Sequence, residues 1–142
     1  MYILAILYVC VSIFFKNNKL KTILSTIILL IFACGCYQIA DYNLYANKFA
    51  WYQTDQQAKE PIFQLLMIIF NKLNLTYIQF RIFIFFFAFI TMAIVSYKLK
   101  GNSGFVYLLY FIFPFCMDCV QIRFSLAMAF AYIGFYFYLK ER

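Results

Sequence analysis

Apolar and polar positions fall into long blocks, and those blocks lay out the chain. Tyr2 to Phe15 is apolar and is followed by Lys16, Lys19 and Lys21, with no basic residue before it. That order is the reverse of a secretory leader. As a helix the block rises about 21 Å, short of a hydrocarbon core of about 30 Å. A snorkelling Lys16 and local thinning make up the difference, so it is assigned as a first span. Thr22 to Ala40 is a second. Asp41 to Glu60 is the longest polar stretch and is expected to be a loop. Pro61 to Leu73 opens with proline, whose missing N–H costs nothing at a helix start. It is too short to cross, which predicts a surface-lying or re-entrant helix. Tyr77 to Tyr97 is the third span, with Arg81 near its start. Lys98, Lys100 and the turn residues Gly101 to Gly104 close it. Phe105 to Met117 is a short fourth span interrupted by Pro114, and Ile122 to Leu139 is the fifth. The expected fold class is all-α: a polytopic membrane helical bundle of about five transmembrane helices plus one short outer-face interfacial or re-entrant helix, in a single integral-membrane domain, 1–142.

Composition supports the blocks. The chain is 67% hydrophobic and 12% charged, against roughly 45–50% and about 25% for soluble domains. Aromatics reach 24%, which suits lipid-facing bulk and interfacial anchoring. The net charge of +7 would suggest nucleic acid for a soluble protein. Here the basic residues sit between apolar blocks and read as orientation signals. With the Lys16 loop inside, Lys16, Lys19, Lys21, Lys98, Lys100, Lys140 and Arg142 are cytoplasmic against one acid, Glu141. Lys48, Lys59, Lys72, Arg81 and Arg123 are then outside, with Asp41, Asp55, Glu60 and Asp118. A crossing by Pro61 to Leu73 would spoil that bias. Cys116 and Cys119 form C-x-x-C, but there is no second pair and no histidine, so zinc is disfavoured. They pack as small apolar residues or form a disulfide.

The topology puts the polar chemistry on the outer side. Charges in membrane-type sequence are costly and are functional candidates. Pro114 ends one apolar run, and Asp118, Gln121 and Arg123 precede or open the next. Asp118 and Gln121 have the spacing of a capping box. Arg123 then lies beside a helix N-terminus, where amides and a cation together suit phosphate or diphosphate. The alternative is an anchor that pairs with Asp118 or snorkels outward. Arg81, one turn into its span, is either a second anion ligand or a snorkelling residue. Asp41 is either a base or a span-ending polar residue. Glu60 is either a base or a carboxylate favouring the helix that starts at Pro61. Trp51, Tyr45 and Tyr52 either stack on sugars or anchor at the interface. No P-loop, nucleotide-binding glycine motif, Ser-His-Asp set or metal-ligand cluster is present, and no cofactor is expected.

Asp41-Tyr42 with Tyr45, then Glu60-Pro61-Ile62-Phe63 with Leu66, then Gln121-Ile122-Arg123-Phe124-Ser125-Leu126-Ala127 resemble the EpsG family. These are Wzy-like membrane proteins of exopolysaccharide and capsule synthesis. The resemblance runs from about Asp41 to the C-terminus. It implies a polysaccharide polymerase, glycosyltransferase-like, in the bacterial cytoplasmic (inner) membrane, acting on undecaprenyl-diphosphate-linked oligosaccharide. Asp41, Glu60 and Asp118 would be its catalytic carboxylates. Arg123, Gln121, Arg81, Tyr42, Tyr45 and Trp51 would bind substrate. Membrane lipid and other exopolysaccharide assembly proteins are the remaining implied partners, and nucleic acid is not one. Family members are usually more than twice as long, which implies that this is an N-terminal part. Two other readings are a carrier or flippase for lipid-linked saccharide, and a non-catalytic membrane assembly subunit.

Overall fold

The structure, a computed structural model, describes residues 17–35, 40–50, 60–99, 103–112 and 121–141. They form six helices: α1 (Asn18–Gly35), α2 (Ala40–Ala50), α3 (Pro61–Lys72), α4 (Tyr77–Lys98), α5 (Ser103–Ile112) and α6 (Ile122–Lys140). There is no strand among the described residues, and the chain is an all-α membrane bundle. Helices α1, α4 and α6 are long and apolar enough to cross a membrane. The expected span from Tyr2 to Phe15, the expected fourth span beyond Ile112, and the Cys116–Cys119 pair lie outside the described residues.

Helix α4 is the centre. Half of its most apolar stretch is buried, against 28% for α1 and 22% for α6. Phe80, Ile84, Phe85, Ala88, Phe89, Met92 and Val95 make a wide stripe at helical spacing. Towards one end, Phe85, Phe89 and Met92 pack with Leu29 and Ala33 of α1 and Tyr107 and Tyr110 of α5. Towards the other, Tyr77, Phe80 and Ile84 pack with α2, α3, Ile122 and Leu126. Helix α1 packs on α4 and α5, and buries Thr22, Ser25, Thr26, Leu29 and Ala33. Small residues there allow close approach, and packing drives association where lipid removes the hydrophobic difference. The Thr26 hydroxyl donates to the Thr22 carbonyl at 2.7 Å, so the Tyr107 hydroxyl, 2.5 Å away, donates to Thr26.

The stretch expected to be a loop contains α2. Tyr42, Tyr45 and Phe49 recur three and four residues apart, and Tyr45 and Phe49 are buried against Phe63, Met67, Tyr77 and Phe80. Its asparagines and lysine, with exposed Leu44, face away. Tertiary burial of one face outweighed the polar composition. Helix α3 rises about 18 Å and buries Phe63 and Met67, while Ile62, Leu65 and Ile69 are exposed.

The α3–α4 turn is closely specified. Asn74 is left-handed at φ 54°, a conformation asparagine tolerates better than most side chains. Its N–H reaches the Asn71 carbonyl at 2.9 Å, and the Leu75 N–H reaches Phe70 at 3.0 Å, a Schellman ending. Thr76 then caps α4 in a reciprocal box with Gln79.

Helix directions agree with the charge count. The Lys19 ammonium lies 5.6 Å from the Tyr97 ring, and Lys98 lies 5.0 Å from Tyr136. The basic start of α1 and the basic ends of α4 and α6 therefore share one end of the bundle. Arg81 and Arg123 lie at the opposite end. In a background without native cysteines, an impermeant thiol reagent added outside is expected to label Asn47→Cys and to spare Glu141→Cys. The reverse pattern inverts the molecule and moves its polar end to the cytoplasm.

Candidate functional site

Two arginines organise the end of the bundle opposite Lys19 and Lys98, and α2 touches both. Arg123 is the second residue of α6 and ion-pairs with Glu60, which precedes α3. Both side chains are partly exposed. The guanidinium also lies 5.5 Å from the ring of Tyr45. Gln121 stands at the N-cap of α6 and makes no side-chain cap. The expected Asp118–Gln121 capping box is therefore not what starts this helix: its first turn begins after Gln121. The Phe124 N–H returns to the Gln121 carbonyl at 2.8 Å. Glu60, at the N-cap of α3, likewise makes no cap of its own. Its carboxylate crosses to Arg123 instead.

Arg81 differs in burial and in its polar partner. It is only 4% exposed, so the snorkelling reading is overturned. Its guanidinium donates to the Ala33 carbonyl at 3.1 Å. That carbonyl lies in the last described turn of α1, and its second lone pair is open to a side-chain donor. The rings of Tyr42 and Phe85 lie 5.4 and 5.3 Å from it. The carbonyl and the ring faces offset part of the cost of burying the charge. Snorkelling fails because α1 and α2 cover the first turns of α4.

Tyr42 and Tyr45 are three residues apart on α2, about one turn. Each carries one arginine on its ring. Tyr42 also packs edge-on against Tyr77 at 5.3 Å, and Tyr45 against Phe63 at 6.0 Å. Of the remaining candidates, Asp41 lies in the first turn of α2, while Asp118 and Trp51 fall outside the described residues. Sequence reasoning missed the Glu60–Arg123 pair, which joins residues 63 positions apart. The ring contacts are also not foreseen, because the polar composition of 41–60 predicts a loop where α2 forms. The i, i+3, i+7 spacing of Tyr42, Tyr45 and Phe49 was the available signal.

A groove of about 420 Å³ opens at the ion pair. Glu60, Gln121 and Arg123 stand with Pro61, Ile62 and Phe63 on its walls, and Phe124, Leu126, Ala127 and Phe130 continue it along α6. A cation beside a helix N-terminus suits an anion, and the adjacent carboxylate can accept a proton once it is released from the cation. No group of three His, Cys, Asp or Glu side chains suited to a metal occurs among the described residues.

The model of the EpsG family matches residues 20–142. No curated protein and no solved structure matches the chain.

Proposed function

The chain belongs to the EpsG family, and from that premise we propose that it is a membrane polysaccharide polymerase. It joins lipid-diphosphate-linked oligosaccharide repeats at the outer face of the bacterial cytoplasmic membrane, in exopolysaccharide or capsule synthesis. The observation that carries this reading is the Arg123–Glu60 pair at the head of a groove in a membrane bundle. The acceptor hydroxyl oxygen bonds to the anomeric carbon of the growing chain. The bond from that carbon to the diphosphate oxygen breaks, and undecaprenyl diphosphate leaves with the electron pair. Arg123 holds the departing charge through a planar fork of donors. The diphosphate displaces the Glu60 carboxylate, which is then free to take the acceptor proton. Asp41 and Asp118 are the other carboxylates of the site, and Gln121, Tyr45 and Trp51 contact sugar or phosphate. Arg81 and Tyr42 hold α2 in position.

Glu60→Gln separates binding from turnover. The amide keeps the shape but no longer competes as an anion for Arg123. Affinity for undecaprenyl diphosphate is expected to rise, while polymer formation in proteoliposomes falls by about a hundredfold or more, the usual share of a general base. Tighter binding with an unchanged rate of polymer formation removes Glu60 from the chemistry. Unchanged binding and rate together favour an assembly subunit.

A further inference from the structure

The groove at Arg123 has two chemically different ends. Its mouth is Glu60, Gln121 and Arg123, and its far wall is Leu126, Ala127 and Phe130. Arg123 and Phe130 are seven residues apart on α6, about 10 Å along the axis. Helix α6 is long and apolar enough to cross a membrane, and a groove running along it from a charged first turn would descend from headgroup level into one leaflet, whose half-thickness is about 15 Å. A hydrocarbon chain already in the leaflet gains packing contacts along such a wall, whereas a soluble sugar or nucleotide would have to give up its hydration to descend beside it. Phe124 and Phe130 stand three residues either side of Ala127 on one helical face. The small side chain of Ala127 leaves room between the two rings.

The mouth narrows the choice of lipid. Arg123 is already neutralised by one carboxylate. A phosphodiester headgroup offers one negative charge in exchange. A diphosphate offers more charge and more acceptor oxygens, so it competes better for the guanidinium.

We infer that the groove holds the first part of the hydrocarbon chain of a polyprenyl diphosphate whose head lies on Arg123. The inference rests on the proposed role of Arg123 and adds a chain-recognition site, built on Ala127 and its flanking phenylalanines, to that role. One helix then grips both parts of the lipid, and α6 sets how deeply the diphosphate sits.

The test uses the full chain in phosphatidylcholine nanodiscs, with undecaprenyl diphosphate and inorganic diphosphate as probes. Ala127 is exposed, so Ala127→Trp fills the groove without disturbing the core. It is expected to weaken undecaprenyl diphosphate binding about tenfold or more, equivalent to about 1.4 kcal/mol, and to leave inorganic diphosphate binding unchanged. Ala127→Ile should show a smaller loss in the same direction, and retained inorganic diphosphate binding certifies the fold of both variants. Wild-type affinity for undecaprenyl diphosphate in Ala127→Trp overturns the chain site while leaving the head site standing. Competition by phosphatidylglycerol as effective as that by undecaprenyl diphosphate also overturns it, because an ordinary leaflet lipid is then the occupant. If Arg123→Ala binds both probes normally, the reading beneath the inference fails and the inference with it.

Discussion

Arg123→Ala is expected to insert and fold as wild type does, yet to lose undecaprenyl diphosphate binding by roughly 2–3 kcal/mol, the worth of a charge-assisted hydrogen bond in a partly dry site. Polymer formation should fall with it. Stability should barely move. The side chains of Arg123 and Glu60 are 43% and 37% exposed, and exposed ion pairs contribute only about 0–1 kcal/mol. That asymmetry is informative, because a structural anchor would show the opposite balance. Arg123→Lys keeps the charge but loses the planar fork, so it should lie between wild type and alanine. Binding of undecaprenyl diphosphate and polymer length are the two readouts, with thermal melting as the control. An Arg123→Ala protein that makes polymer at the normal rate reduces the arginine to an anchor and moves the assembly-subunit reading ahead.

The second large effect is on stability, at Arg81. Removing its side chain deletes a charged hydrogen bond to Ala33 and two ring contacts, and leaves a void where α1, α2 and α4 meet. Arg81→Ala is expected to cost roughly 2–4 kcal/mol, read as a lower melting temperature in detergent. Arg81→Met keeps the packing of the stem and loses the donor, so it should recover part of that loss. Whatever folded fraction remains should bind inorganic diphosphate as wild type does, since Arg81 does not line the groove. Arg81→Ala melting at the wild-type temperature would show that the burial cost of the charge cancels its contacts.

Three of the five expected spans correspond to α1, α4 and α6, and they were legible because membrane burial leaves a coarse record. Blocks such as Tyr77 to Tyr97 need only composition and length to be recognised, and helix α4 runs from Tyr77 to Lys98. The basic clusters gave a direction, and Lys19 and Lys98 do share one end. Local polar detail was harder. Thr76-x-x-Gln79 had the capping spacing and forms the box, whereas Asp118-x-x-Gln121, with the same spacing, does not start α6 in that way. A capping pattern states what a terminus can accept, not where the terminus falls. Arg81 and Arg123 look alike in sequence, each near the start of a span. Only packing separates them: α1 and α2 close over Arg81, while Arg123 stays at a groove mouth. The choice of partner for Arg123 was also non-local, since Glu60 reaches it through the placement of α3 on α4.

The turn from Leu73 to Thr76 fixes more than a change of direction. Its Schellman ending and capping box leave almost no freedom for α3 to roll about its own axis relative to α4. Each residue of an α-helix advances the phase by about 100°. One residue added to or lost from α3 would therefore swing Glu60 about a quarter-turn away from Arg123 while leaving the composition of the chain almost untouched. The spacing from Glu60 to Thr76 thus behaves as a ruler with a single working setting. Length variation between relatives should gather elsewhere, in segments whose phase the two charges do not share.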